Sequence, residues 1–310
     1  MNWSSILNQW TLTEIALKTY GPLRNLKKRL ILTSAIIAIL AITEHIFFII
    51  NDIFKACKFL SDKYDAVGKY FNLAHPHAFR LFEFSYCAAF FVKVANILST
   101  LTWTYTDSFI ILISSGLAVR FTQLAKKIEN KNLQNTDEQF WRETREDFNT
   151  IYKLSRIIDK HLSALVSISF VNNIYFICIQ LYNSLKEREG FAEKLYFFYS
   201  FAYLLLRITS VTMYAAWIND ESKKPLDMLL SVPPKQYSIE VSRFIELINT
   251  VPVGFTGSKF FMVTRGFLLK IVGTIITLEL MFLQFGPLVK YDRANTSIGS
   301  AGDKCNFTDS

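Results

Sequence analysis

Five long apolar runs divide the sequence and restrict the folds that the chain can adopt. Each run is longer than about 18 residues and contains at most two or three ionisable side chains, which indicates membrane-spanning helices rather than helices buried in a soluble core. The runs cover residues 31–50, 88–119, 161–183, 195–218 and 266–289. Because only helices and closed barrels satisfy their backbone hydrogen bonds in lipid, the sequence predicts an all-α, polytopic protein of the lipid bilayer.

The composition excludes several other classes of protein. The first run is longer than the apolar core of a signal peptide and has no small-residue cleavage site. The four cysteines follow no metal-binding spacing, and His75-Pro76-His77 indicates a turn. The net charge of +8 accompanies no nucleic-acid-binding motif, so no nucleic-acid partner is predicted. No nucleophile–base pair or phosphate-binding loop stands out, so we predict neither an enzyme nor a metal or other cofactor.

The C-terminal tail determines the predicted orientation in the membrane. Lysine and arginine are almost equally dense on the two sides of the five runs, so the positive-inside rule does not decide. Two N-glycosylation sequons begin at Asn295 and Asn306, which favours a lumenal or extracellular C-terminus. Because the number of spans is odd, the N-terminus is then predicted to be cytosolic.

The segments between the runs complete the predicted organisation. Phe148, Ile151, Leu154 and Ile158 fall within one arc of a helical wheel, and a second amphipathic stretch lies in 219–259. These pieces either pack into one anchoring core below the membrane or lie separately at its interface. The predicted order is a cytosolic amphipathic segment (1–30), a span (31–51), an extracellular loop (52–87), a span (88–119), a cytosolic helical anchor (120–160), two spans (161–183 and 195–218), a cytosolic linker and helix (219–259), the last span (260–289) and an extracellular tail (290–310).

Polar residues on one face of the last span indicate either a pore lining or a contact between helices. Thr274, Thr277, Met281 and Gln284 follow i, i+3, i+7, i+10 spacing, so they share one helical face. Four such helices around an axis would form a weakly polar lining, with Gln284 or Phe285 at the constriction. Threonine and glutamine also hold neighbouring helices together, so the residues alone leave both interpretations open.

Glu279 is the acidic residue of the last span. It lies about 140° around the helix from Gln284, so the two side chains do not both point at one axis. An uncompensated carboxylate at that depth is strongly disfavoured. We therefore expect a structural role, in which Glu279 pairs with a cation such as Lys270 of a neighbouring helix or Arg207.

The C-terminal part of the chain carries a family signature. The stretch 257–265 (GSKFFMVTR) is followed by Thr-Leu at 277–278, five further residues, and Gln-Phe at 284–285. This order resembles the signature of insect gustatory receptors, in which Thr-Tyr, five mostly apolar residues and Gln-Phe follow one another. Leu278 replaces the tyrosine, whereas Glu279 matches the glutamate of the sweet-taste branch.

The resemblance extends over nearly the whole chain. Glu44-His45, the stretch 103–107 and the stretch 171–176 also resemble the sugar-receptor branch. The resemblance implies a seven-span, all-helical plasma-membrane glycoprotein. It also implies that four gustatory receptor subunits, identical or different, form a sugar-gated cation channel lined by the last helix. On this comparison the chain begins just before the family's third span, so we expect two N-terminal helices to be missing.

Side chains at one predicted depth form a candidate sugar pocket under this resemblance. Aromatic faces suit the C–H faces of a pyranose, and carboxylates and amides suit its hydroxyl groups. The candidate residues are Glu44, His45, Trp103, Asp107, Asn172, Asn173, Tyr175, Gln180 and Tyr203. As an alternative, the two asparagines connect helices, and Arg207 forms a structural ion pair with Asp107 or Glu44.

Three functions compete for this chain. The first is a sweet-taste channel subunit that binds sugars and conducts cations. The second is a multi-pass small-molecule transporter, although the sequence shows neither the inverted repeats nor the paired glycines of that class. The third is a non-conducting or dominant-negative subunit, which an incomplete N-terminal part favours.

Overall fold

Helices account for nearly all of the structure. A computed structural model describes residues 3–20, 26–59, 66–132, 136–184 and 190–302, with the backbone alone at 3, 19, 55–59, 66, 73, 76–77, 192 and 285–302. The α-helices are α1 (Trp3–Ala16), α2 (Leu26–Phe59), α3 (Ala66–Ala74), α4 (Pro76–Phe79), α5 (Tyr86–Glu129), α6 (Glu138–Ser184), α7 (Phe191–Leu230), α8 (Ile239–Thr250) and α9 (Arg265–Gly302). The strands β1 (Thr256–Gly257) and β2 (Phe261–Met262) form a short antiparallel hairpin directly before α9.

Five helices are long and apolar enough to cross a membrane, which confirms the all-α, polytopic prediction. The crossing segments lie within Leu26–Phe54, Tyr86–Glu129, Glu138–Ser184, Glu193–Leu230 and Arg265–Gln284. α5 has 44 residues and α6 has 47, whereas about 20 residues cross the hydrocarbon core. Both helices therefore continue well beyond the membrane. The backbone of α9 also stays helical through the first part of the tail predicted at 290–310.

The ends of α5 and α6 that leave the membrane pack with α8 around buried aromatic rings. Phe148 of α6 contacts Phe121 of α5 and Phe244 of α8, with ring centroids 5.4 Å apart in both pairs. All three side chains are fully buried. We call this end of the molecule the anchor pole and the opposite end, which carries α3 and α4, the loop pole.

A buried carboxylate connects α8 to α6 at the anchor pole. Glu240 is 2% exposed, and it accepts hydrogen bonds from Arg145 Nε at 2.8 Å and from Arg243 Nη1 at 2.9 Å. The hydrogen bond from Arg145 holds the pKa of the Glu240 carboxyl below its usual value, and the bond from Arg243 acts in the same direction. A carboxyl with a lowered folded-state pKa stabilises the protein at neutral pH, and this contribution is lost as the pH falls through that pKa.

We expect Glu240→Gln to lower the melting temperature of the detergent-solubilised protein at pH 7 by roughly 2–4 °C. The substitution removes the charge that satisfies two guanidinium groups. Glu129→Gln is the matched control, because Glu129 is exposed in the last turn of α5, and it should leave the melting temperature unchanged. The difference between Glu240→Gln and wild type should shrink in acid, where the wild-type carboxyl is protonated as well. A difference that grows with acidity would contradict this role.

Candidate ligand cavity and pore helix

Four membrane-crossing helices enclose a cavity in the half of the bundle nearer the loop pole. Its volume is about 270 Å³, and α2, α5, α6 and α7 all contribute side chains. The sequence-predicted residues that line it are Glu44, His45, Trp103, Gln180 and Tyr203. Arg207 lines it as well. The structure therefore brings together groups that lie more than 150 positions apart in the chain.

A row of hydrogen-bonded polar groups forms one wall of the cavity. Gln180 Nε2 donates to Ser200 Oγ at 3.1 Å, and Ser200 Oγ donates to Glu44 Oε1 at 3.2 Å. A carboxylate offers about four acceptor positions, so Glu44 retains acceptor capacity towards the cavity that it lines. This wall has the donors and acceptors that a hydroxyl-rich molecule requires.

Aromatic rings form a second part of the wall. The rings of Trp103 and Phe176 lie 4.1 Å apart between centroids at an interplanar angle of 61°. Phe48 contacts Tyr196, with centroids 6.1 Å apart. An apolar ring surface beside a polar row is the composition of a small-molecule site in which a few polar groups orient the ligand.

A buried ionic cluster lies one helical turn beyond Trp103 towards the anchor pole. Asp107 is 3% exposed and pairs with Arg207 Nε at 2.5 Å. Its carboxylate also accepts hydrogen bonds from Ser169 Oγ at 2.5 Å and Asn173 Nδ2 at 3.2 Å. The carboxylate is therefore compensated by one cation and two dipoles, as a charge inside a membrane requires. Arg207 pairs with Asp107 and not with Glu44.

Three of the predicted pocket residues on α6 lie outside the cavity. Tyr175 is 57% exposed, and Asn172 is half-buried without lining the cavity. Asn173, Phe176 and Gln180 follow i, i+3, i+7 spacing and share the inward face, so their immediate neighbours in sequence point elsewhere. Asn173 is buried in the ionic cluster rather than exposed to the cavity.

Several cavity residues were missed from the sequence. They are Phe48, Asn96, Ser99, Thr100, Thr104, Phe176, Tyr196 and Ser200. A usable signal is present for some of them, because Asn96, Thr100 and Trp103 follow i, i+4, i+7 spacing on α5, and Glu44 and Phe48 follow i, i+4 on α2. Polar residues one turn from each other within an apolar span therefore indicate the inward face.

A second, mostly apolar cavity separates the first one from the loop pole. Its volume is about 440 Å³, and it shares the wall residues His45, Phe48 and Asn96 with the first cavity. An ion pair between Lys93 Nζ and Asp52 Oδ2, 2.5 Å long, connects α5 to α2 beside it. The lysine and aspartate compensate each other's charge, and most of the other wall residues of this outer cavity are apolar.

The face of α9 that was predicted to line a pore is exposed in the single chain. Thr274, Thr277, Met281 and Gln284 are all exposed, whereas a neighbouring side of α9, about 100° around the helix, packs on the bundle. The packed residues are Ile271, Ile275, Leu278 and Phe282. Among the described residues, the polar stripe therefore does not serve as a contact with the other helices of the same chain. The assignment to a pore stays a prediction.

Other predicted residues of this region lack the expected partner or lie outside the described residues. Glu279 Oε2 is buried and has no hydrogen-bond partner among the described residues, and Arg207 is already paired with Asp107. The expected pairing of Glu279 with Arg207 is therefore not found within the chain. The side chains of Phe285 and Asn295, and all of Asn306, lie outside the described residues.

The sequence of the whole chain agrees with this arrangement of helices and cavity. Residues 1–291 match the family described as trehalose receptor. The chain belongs to the trehalose receptor family. The resemblance to the sugar-receptor branch of insect gustatory receptors, inferred from the C-terminal signature, is thereby confirmed.

Curated relatives of this family member are sugar receptors of Drosophila melanogaster. It is 33% identical to gustatory receptor 5a for trehalose over 290 residues, which cover 91% of the chain and 64% of that receptor. It is 35% identical to gustatory receptor for sugar taste 64f, over 79% of the chain and 52% of the relative. The chain thus spans less than two thirds of the length of these relatives, which are receptors rather than enzymes.

The fold of this trehalose receptor family member is that of an insect olfactory receptor. The structure of receptor OR5 from Machilis hrabei in complex with eugenol superimposes with a TM-score of 0.56 and covers 90% of this chain and 79% of that receptor. The sequence identity is 17%, so this similarity concerns the fold alone. The chain is a multi-pass membrane protein of the insect chemoreceptor fold.

Proposed function

We propose that this chain is a subunit of a sugar-gated cation channel in the plasma membrane of taste neurons. The observation that carries the proposal is the 270 Å³ cavity, in which a carboxylate, an amide and a hydroxyl lie beside two aromatic rings. Relatives named for trehalose and for sugar taste support a sugar as the ligand class. The eugenol complex of the olfactory receptor supports a small-molecule ligand for a protein of this fold.

Each part of the cavity wall has a separate task in sugar binding. The Trp103 and Phe176 rings pack against the C–H faces of the pyranose, and Glu44 accepts hydrogen bonds from hydroxyl groups. Gln180 and Tyr203 add donors on neighbouring helices. An apolar analogue of the same size leaves these groups unpaired, which penalises binding of the wrong ligand.

The exposed polar stripe of α9 suits a pore in a tetramer of gustatory receptor subunits. Four copies of Thr274, Thr277, Met281 and Gln284 around an axis would form a narrow, weakly polar lining that gates by dewetting. The tail sequons favour a topology with the anchor pole in the cytosol and the loop pole outside. In that topology the ligand cavity lies in the extracellular half of the bundle.

The ion selectivity of the pore should change when a charge is added to the polar stripe. It should not change when the charge of Glu279, which lies off the stripe, is removed. We expect Gln284→Glu to raise the permeability of Ca²⁺ relative to Na⁺ severalfold, because it adds a ring of carboxylates to the lining. We expect Glu279→Gln to leave that ratio unchanged, because Glu279 is half-buried on another side of α9. Reversal-potential measurements in mixed-cation solutions distinguish the two. Changed selectivity with Glu279→Gln at normal surface expression would contradict the structural role of Glu279.

Electrophysiology tests the proposed function directly. The 310-residue chain is expressed in oocytes, alone and together with the Drosophila gustatory receptor for trehalose, and trehalose is applied. A saturable inward current that depends on this chain is the expected result. A chain that reaches the surface and only suppresses the partner's current is a non-conducting subunit. Uptake of labelled trehalose without a channel current would support a transporter instead.

A further inference from the structure

The hairpin before α9 is attached to α6, the helix that carries the cavity residues Phe176 and Gln180. Thr256 N–H donates to Asp159 Oδ1 at 2.6 Å, and Thr256 Oγ1 donates to Asp159 Oδ2 at 2.9 Å. Ser258 N–H donates to the Ser163 carbonyl oxygen at 2.9 Å. Three hydrogen bonds therefore fasten the first strand and the turn of the hairpin to two successive turns of α6.

The turn of the hairpin directs one phenylalanine ring back across the backbone. Ser258 and Lys259 adopt left-handed conformations, with φ of 45° and 63°. A Cβ atom at Gly257 would lie 2.1 Å from the Phe261 ring, so the glycine is required for the ring to lie where it does. Gly257 therefore provides the space that the Phe261 ring occupies.

Phe261 forms an aromatic triad with one residue of α6 and one residue of α9. Its ring stacks on Phe267 of α9, with centroids 4.5 Å apart and an interplanar angle of 12°. Phe170 of α6 meets both rings edge-on, at 5.8 Å from Phe261 and 5.3 Å from Phe267. Phe170 is 2% exposed. The triad is a tightly packed contact between α6, the hairpin and the first turn of α9.

The triad begins next to the ionic cluster of the cavity. Ser169, the neighbour of Phe170, donates to Asp107, and Asn173 lies three residues further along the same helix. At 1.5 Å per residue, the side chains that bind Asp107 therefore begin about 1.5 Å (Ser169) and 4.5 Å (Asn173) along the helix axis from the side chain that contacts α9. A shift of α6 that changes the cluster must also move Phe170, because packed interiors transmit displacement.

We propose that the aromatic triad and the hairpin couple occupancy of the cavity to the position of α9, with Phe261 as the central positioning residue. The inference rests on the proposed function, because it requires a cavity ligand and a pore helix that responds to it. α6 carries both ends of the connection, and the three hydrogen bonds prevent the hairpin from slipping along it. Packed side chains and hydrogen bonds of this kind can carry energetic coupling between two sites.

Thiol modification of α9 measures the coupling without recording a current. Met281→Cys is introduced into a chain whose four native cysteines are replaced by alanine, and its modification rate is measured with and without trehalose. We expect trehalose to change the rate about tenfold with Phe261 present and less than about twofold with Phe261→Leu. Calorimetry should still detect trehalose binding to Phe261→Leu, with a Kd that differs from wild type by no more than about this tenfold coupling factor. Phe260→Leu is the matched control, because Phe260 is 91% exposed in the same hairpin.

The outcomes separate this inference from the proposed function. An undiminished tenfold response with Phe261→Leu would overturn the coupling and leave sugar binding intact. If the wild-type chain binds no trehalose, the proposed function fails. The coupling is then tested without a ligand, by the effect of Ser169→Ala on the modification rate. Ser169→Ala should then alter the rate at position 281 with Phe261 but not with Phe261→Leu. The coupling is overturned if Ser169→Ala leaves the modification rate unchanged, or if it changes the rate equally with Phe261 and with Phe261→Leu. Phe261→Met replaces Phe261→Leu if the latter does not reach the membrane.

Discussion

Replacing Arg207 with methionine should lower the free energy of unfolding by about 3–5 kcal/mol, the largest loss of stability expected here from a single substitution. Arg207 is the cation that compensates Asp107, whose side chain is 4% exposed among membrane-crossing helices. Methionine keeps much of the side-chain volume and removes the charge. The carboxylate is then left with two dipoles in a medium that solvates ions poorly. Fluorescence-detected thermal unfolding of the solubilised protein measures the effect.

A double substitution tests whether the charge rather than the shape causes this loss. Arg207→Met combined with Asp107→Leu removes both charges, and Asn173 keeps its hydrogen bond to the Ser169 carbonyl oxygen at 2.9 Å. We expect the double variant to regain most of the lost stability, because replacing a buried ion pair by apolar groups is often neutral. Arg142→Met is the control at an exposed arginine in the first turns of α6, and it should have little effect. A single Arg207→Met variant as stable as wild type would contradict the assigned role.

Replacing Trp103 with alanine should weaken the response to trehalose by roughly 30-fold or more, as expected for the loss of a buried aromatic anchor worth about 2 kcal/mol. The indole lines the cavity and packs on Phe176 at 4.1 Å. Alanine removes the ring surface and leaves Phe176 without its neighbour. Trehalose dose–response curves and surface labelling of the same cells separate lost binding from lost expression.

Two further variants define the role of the Trp103 ring. Trp103→Phe keeps an aromatic face and should retain part of the affinity. Tyr105→Ala removes an aromatic ring two residues further along α5, but Tyr105 is 70% exposed and does not line the cavity. Its dose–response curve should match wild type. Equal losses at positions 103 and 105 would show that α5 is sensitive to any large truncation and would remove Trp103 from the ligand site.

The fold class was predictable because the bilayer imposes one requirement on every residue of a span. A run of about 20 apolar residues satisfies its own backbone hydrogen bonds in lipid only as a helix, so the five runs predicted five crossing helices. The polar stripe of α9 was predictable because its polar residues recur with the period of an α-helix within an apolar run, which places them on one side of the helix. The long-range packing of the hairpin against α6 had no counterpart in any local pattern, and it was not predicted.

The cavity was predicted only in part, because depth in the membrane and direction around a helix are independent. The depth argument selected Asn172 and Tyr175 together with Asn173 and Gln180, yet 100° per residue turns the first two away from the cavity. The sequence alone did not distinguish Asp107 from Glu44 as the partner of Arg207, because both lie at a similar depth, and the structure pairs it with Asp107. Ser200 had no charge or aromatic ring to mark it, although it connects Gln180 to Glu44.

The uninterrupted length of α5 and α6 has a thermodynamic consequence. At 1.5 Å per residue, their 44 and 47 residues form rods about 66 and 70 Å long that run from the lipid into the anchor pole. Because no loop divides them, fraying at the anchor propagates along the same helices that carry Asp107 and Gln180. The anchor and the spans are therefore expected to open as one cooperative unit in native-state hydrogen exchange. Substitutions at Glu240, in the anchor pole, and at Arg207, in the membrane-crossing part of the bundle, should report on a single unfolding transition.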